Sequence, residues 1–137
     1  MTVQIDLDAL LAAAPSPYML LDTELRFVWA NDAYLKAIGR SREDILGRVL
    51  SEAFPVPAES DSDKMLNASF RKVLSTGRND HLSWIPYPIE TPDGQIEERY
   101  WSATHTPILD AEGRVEYILQ NTIDVTELYH SKQGETV

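Results

Sequence analysis

Hydrophobic and polar positions change their period about halfway along the 137-residue chain. In the first half they repeat at helical spacing around one short hairpin. Leu7, Leu10, Leu11 and Ala14 follow an i, i+3, i+4, i+7 pattern behind Asp6, which predicts an amphipathic helix ended by Pro15 and Pro17. YMLLDTELRFVWAN then predicts two strands, 18–21 and 26–30, around a polar turn. Asn31 is a cap for the helix DAYLKAI, which stops at Gly39. Ser41 with Asp44 forms a capping box for a second short helix that ends at Gly47. FPVPAESDSD reads as loop, and Ser62 is expected to cap a longer helix. Met65, Leu66, Phe70, Val73 and Leu74 share one face of that helix, and Gly77 stops it.

From Asn79 onward the period shortens to two. HLSWIPYPIE, IEERYWSATHTPIL and VEYILQNTIDV are rich in aromatic and β-branched residues and are separated by TPDG and DAEG turns. Three antiparallel strands are predicted. The expected fold class is α+β: a five-stranded antiparallel sheet, short helices on one face and an N-terminal amphipathic helix. The boundaries read as a helix over 1–14, one domain over 15–128 and a polar tail over 129–137.

Composition narrows the chemistry. There are no cysteines, so disulfides, thiolate metal sites and sulfur-linked chromophores are excluded. A net charge of −10 disfavours nucleic acid and anionic membrane as partners. No apolar run approaches the ~20 residues of a membrane span, and the N-terminus lacks the basic start of a secretory signal, so the expected location is cytoplasmic. Asp61, Asp63, Glu97, Glu98 and Glu116 fall in loops or at exposed strand positions. No nucleophile is paired with a base, which predicts no enzyme and no catalytic residue. His81, His105 and His130 lack metal-ligand spacing, so no metal is expected. Glu59, Asp61 and Asp63 could bind a divalent cation weakly, or equally serve as charges at a helix N-terminus.

The order of elements, with YMLLDTELRFVWANDAYLKAIGRSREDILGR, TPDGQIEERYWSATHTPILDAEGRVEYILQ and the ending NTIDVTEL, resembles the PAS domain family over residues 14–128. The resemblance implies a sensory module, often dimeric and often joined to a histidine kinase or a cyclic-nucleotide enzyme. It also implies which face of the sheet is internal. Strand residues alternate sides, so Ile118, Gln120 and Thr122 turn inward with Trp101, Ala103, His105, Ile85, Tyr87 and Ile89. Ile85, Tyr87, Trp101, Ala103, His105, Ile118, Gln120 and Thr122 are the candidate ligand-pocket residues. The alternative is a closed core in which His105 and Gln120 satisfy one another.

Tyr117, Leu119 and Ile123 then form an apolar outer face, and Leu7, Leu10, Leu11 and Ala14 are expected to cover it in a homodimer. The alternative is a monomer whose own helix folds back. A haem-binding relative uses a histidine on the long helix; residues 64–76 contain none. Flavin photosensors of the family carry a cysteine. Neither haem nor flavin is therefore expected, nor any other cofactor, although an unknown small molecule is a candidate ligand.

Asp124 and Thr126 stand where the last strand ends, and each could cap an oncoming helix beginning Glu127, Leu128, Tyr129. Gly134 and the end of the sequence leave that helix little length. These residues are the expected signal output, toward an effector such as a histidine kinase in a longer protein from which this domain was cut. A stand-alone interaction module without ligand is the second expectation.

Overall fold

The computed structural model describes residues 9–10, 13–54 and 60–134. Five strands form one antiparallel sheet in the order β2-β1-β7-β6-β3. They are β1 (Tyr18–Asp22), β2 (Phe27–Ala30), β3 (Asp80–Pro86), β6 (Tyr100–Leu109) and β7 (Val115–Asp124). Among the described residues, four helices lie between β2 and β3: α1 (Asp32–Ile38), α2 (Arg42–Ile45), α3 (Leu50–Ala53) and α4 (Asp61–Thr76). A fifth, α5 (Thr126–Gly134), follows β7.

Local chemistry explains the joints. Asp22 Oδ1 accepts from the backbone N–H groups of Glu24 and Arg26 at 2.9 and 3.0 Å, closing the β1–β2 turn. Asn31 does more than cap α1. Its Oδ1 accepts from Tyr34 N at 2.9 Å and from Tyr18 N at 3.0 Å, while its Nδ2 donates to Ser16 O. One buried amide thus ties the start of β1 to the start of α1. Gly39 and Gly77 end α1 and α4 in the left-handed conformation, where a Cβ is costly.

The main core gathers Met19, Leu21, Phe27, Ile45, Phe70, Val73 and Ile118 between the sheet and the helices. A second, smaller cluster of Ile85, Trp101 and Ala103 sits at the β3–β6 side. Of the expected stripe on the long helix, Phe70 and Val73 are fully covered, and Leu66 and Leu74 pack against the main core.

Four expectations are corrected. The α4 cap is Ser60, whose side chain accepts from Asp63 N, rather than Ser62. Ser62 is buried and donates to the Pro86 carbonyl instead. The strand predicted through HLSWIPYPIE stops at Pro86, because prolines at 86 and 88 cannot donate to a ladder. Ile89–Glu90 (β4) pairs with Ile96–Glu97 (β5) as a separate ribbon. The third correction lies in β3, where Leu82 and Ile85 both face inward across a register shift, with Trp84 at φ 59° between them. Lastly, the helix expected to begin at Glu127 with little length runs over Thr126–Gly134, into the stretch 129–137 read as a polar tail. Of the N-terminal stripe, Leu7 and Leu11 lie outside the described residues; Leu10 is exposed and Ala14 half-buried.

Candidate functional site

A cavity of about 70 Å³ lies between the helices and the β3–β6–β7 part of the sheet. Six expected pocket residues line it: Ile85, Tyr87, Trp101, Ala103, Gln120 and Thr122. Ile89, also placed inward, joins them. The other wall is helical. Tyr34 and Ile38, one turn apart on α1, reach it with Leu50, Phe54 and Leu66. The i, i+4 spacing of Tyr34 and Ile38 was a readable signal for an inward face of α1, but strand alternation alone could not supply these residues.

His105 and Ile118 point inward as expected without reaching the cavity. Ile118 is fully buried in the main core. His105 is fully buried one layer behind the wall, stacked on Phe70 with ring centroids 4.3 Å apart. Its Nδ1 is 2.7 Å from Ser69 Oγ, and its Nε2 accepts from Gln120 Nε2 at 2.8 Å. That pattern makes Nδ1 the protonated nitrogen. Thr122 Oγ1 donates to Gln120 Oε1 at 3.2 Å, so the amide that borders the cavity is fixed from both ends. Burial holds the His105 pKa down to about 4 and keeps the ring neutral. At the far end of this chain, the Ser69 hydroxyl beside Asp80, with Lys72 3.2 Å from that carboxylate, keeps Asp80 below the usual carboxylate range.

The remaining polar atoms of the wall are directed into the protein. Trp101 Nε1 donates to Tyr87 O at 2.9 Å, and the Tyr87 hydroxyl donates to the Phe54 carbonyl. Tyr34 is different. Every fully buried side-chain nitrogen and oxygen among the described residues has a hydrogen-bond partner. The Tyr34 hydroxyl has none among the described residues, and Tyr34 lines the cavity. Burial of Tyr34 raises its phenol pKa, so the group remains a donor at any physiological pH.

The expected output residues lie next to this wall. Arg99 Nη1 is 2.7 Å from Asp124 Oδ2 and Arg99 Nε is 3.1 Å from Glu97. Thr126 Oγ1 accepts from Tyr100 N at 3.0 Å and donates to Asp124 Oδ1 at 2.6 Å. Partial burial of Asp124 would raise its pKa, but the hydrogen bonds from Thr126 and Arg99 outweigh it and leave the carboxyl below its usual range. In the first turn of α5, Tyr129 stacks on Tyr100 with centroids 3.6 Å apart and planes 11° from parallel. It also meets Trp84 at 5.7 Å.

The expected outer face is apolar as placed. Leu119 is half-buried beside Leu20 and opposite Thr106, Tyr117 pairs with Ile108, and Ile123 is exposed. No group of three His, Asp or Glu side chains among the described residues could hold a metal ion. No described helix is long and apolar enough to cross a membrane.

Comparison with known proteins places this geometry. An uncharacterized protein of Sinorhizobium fredii, y4lL, is 29% identical over 127 residues, covering 93% of this chain and 14% of that protein. The chain therefore spans a small part of the curated relative it matches. A sensory box sensor histidine kinase of Vibrio cholerae superposes with a TM-score of 0.61 at 20% identity, covering 88% of this chain and 89% of the other. A light-oxygen-voltage domain studied with a flavin analogue gives 0.68 at 19% identity, covering 97% and 94%. At these identities the two structures speak for the fold. A sequence profile described as the PAS fold matches residues 11–130. With the helix-backed sheet, the cavity beneath it and a profile match over most of its length, the chain belongs to the PAS family.

Proposed function

We propose that this domain is a sensory and dimerisation module, in which the occupancy of the cavity is relayed through β6 and β7 to α5 and from there to an effector, with a histidine kinase as the favoured effector. One observation carries the reading. Trp101 lines the cavity, and the two residues before it hold the output: Arg99 pairs with Asp124, and Tyr100 holds Thr126 and Tyr129. A shift of the Trp101 backbone therefore strains the ion pair and the ring stack together. A ligand biases that arrangement only by its difference in affinity for the two positions. Asp124 and Thr126 are the output residues in this reading, and the domain itself is regulatory rather than catalytic.

What speaks against a flavin is room. A cavity of ~150 Å³ is known to hold benzene, and the one between Trp101 and Tyr34 measures about 70 Å³, which favours a ligand smaller than a tricyclic ring.

The relay is tested by amide hydrogen exchange. Ala103→Val fills cavity space without touching α5, and is expected to change protection in residues 126–134 several-fold. Identical exchange of α5 in the variant and the parent protein would sink the relay. Native mass spectrometry of protein purified from its source tests whether the cavity carries a ligand.

The outer face supports the dimerisation half of the proposal. Tyr117 and Leu119, with Leu20 and Ile108 beside them, form an apolar patch across three strands, and exposed Ile123 lies on the same face beyond Asn121. A second copy, with Leu7, Leu10, Leu11 and Ala14 in the seam, would bury it. Light scattering is expected to give a dimer for the intact chain and a monomer for Leu119→Glu. A parent chain that is already monomeric at high micromolar concentration would refute it.

A further inference from the structure

We propose that the cavity takes a small uncharged molecule with an apolar body and one hydrogen-bond acceptor, and that the Tyr34 hydroxyl is the donor that holds it. The inference rests on the sensory reading above and adds the chemical class of the ligand.

Three features of the wall define that class. The first is charge: among the described residues no acidic or basic side chain lines this cavity, and an ion placed there would lose its hydration without a partner. The second is the pattern of free hydrogen-bonding groups. Trp101 donates to Tyr87, Tyr87 donates to Phe54, and Gln120 is held by His105 and Thr122. Tyr34, only 3% exposed and lining the cavity, has a hydroxyl with no partner among the described residues. The hydroxyl is not a sealed, unsatisfied group, so it is free to take a fixed partner when a ligand delivers an acceptor.

The third feature is size. A second cavity, also of about 70 Å³, shares Leu50, Phe54, Leu66 and Tyr87 with the first; Asp63 on its far wall already accepts from Asn67 at 3.1 Å. The partition between the two is the edge-to-face pair of Phe54 and Tyr87, with ring centroids 6.1 Å apart. One cavity holds more than two waters at ~30 Å³ each, and the two joined approach the ~150 Å³ that admits benzene. The upper limit is therefore a five- or six-membered ring.

The test uses two probes of similar size, cyclopentanone with a carbonyl acceptor and benzene with none. Each is titrated into the intact ¹⁵N-labelled protein while the amides of Tyr34, Trp101, Ala103, Gln120 and Thr122 are followed. Both are expected to shift these amides. Tyr34→Phe is expected to weaken cyclopentanone about fivefold to tenfold, the worth of one hydrogen bond, and to leave benzene unchanged. Cyclopentylamine, a cation at neutral pH, is expected to shift none of them.

Cyclopentanone binding that is indifferent to Tyr34→Phe would overturn the assignment of the donor while leaving a cavity that binds ligands. Binding of cyclopentylamine at the same concentration would overturn the uncharged class. If neither neutral probe reaches these amides at millimolar concentration, the inference falls, and the ligand half of the sensory reading falls with it.

Discussion

Where β1, β2 and the short helices meet, Met19, Leu21, Ala30, Ile45, Val73 and Ile118 have no exposed surface. Across the sheet, where β3 meets β6, the buried apolar cluster is smaller, Ile85, Trp101 and Ala103, and Met65, Leu82, Tyr87 and Ile89 around it stay partly open. One set of strands carries both regions, and α4 runs over both. The difference lies in what closes each end. At the first, Asn31 and the α2 capping box hold the chain tightly over the sheet. At the second, β3 is interrupted by its bulge between Leu82 and Ile85, and the strand ends at Pro86, which has no N–H to give the ladder. Dense packing supplies stability, and the looser end supplies room for a ligand.

The contrast can be broken by mutation. Phe70→Ala removes a ring from the closed region and is expected to cost about 3–5 kcal/mol in chemical denaturation. A loss below that of the Trp101 variant would erase the distinction between the two ends.

Next in size is a pH effect on the boundary between them. The folded-state pKa of His105 lies at about 4 against an ordinary 6.5, because burial disfavours the imidazolium. Asp80 opposes that shift and His81 adds to it. The unfolded chain therefore binds the proton first. Stability from this group is complete above pH 6.5 and is lost progressively as pH falls toward 4, by about 3 kcal/mol in all. Denaturation curves at pH 7, 6 and 5 should show a decline that His105→Gln flattens. An equal decline in the variant would assign the acid sensitivity to the carboxylates instead.

Trp101→Ala is expected to cost about 2–3 kcal/mol, less than Phe70→Ala, because one side of the indole already faces empty volume. A loss as large as that of Phe70 would mean that the open end is core after all. The smallest effect is expected from Tyr34→Phe. Its hydroxyl has no partner to lose, so Tm should stay within about a degree or rise slightly; a clear fall would point to a hydrogen bond inside the cavity.

The closed end was the more legible in the sequence. Asn31 as a helix cap, Gly39 and the Ser41–Asp44 box are local signals that act within four residues, whereas the bonds from Asn31 to Tyr18 and Ser16 are set by the fold. The inward sets of β6 and β7 were equally readable, because ten-residue strands alternate without interruption. β3 was not. Its inward residues Leu82 and Ile85 are three apart, and no period of two predicts the bulge between them. Ser60 offered the same Ser-x-x-Asp spacing to Asp63 that identified Ser41, so the α4 cap was present in the sequence and overlooked. The helical half of the cavity wall was hidden for a different reason. Which face of a short helix meets a cavity depends on how it crosses the sheet, and neither Tyr34 nor Phe54 states that in its neighbours.

The ring stack between Tyr100 and Tyr129 has a further consequence for protein engineering. It fixes the first turn of α5 against the sheet, so anything spliced in register onto that helix inherits its heading from two tyrosines. Each residue inserted at the splice would turn the attached partner by about 100° around the helix axis, and about seven would return it almost to its starting azimuth two turns farther out. Activity in a chimera should therefore oscillate with linker length, and Tyr129→Ala should damp that oscillation before it lowers the mean.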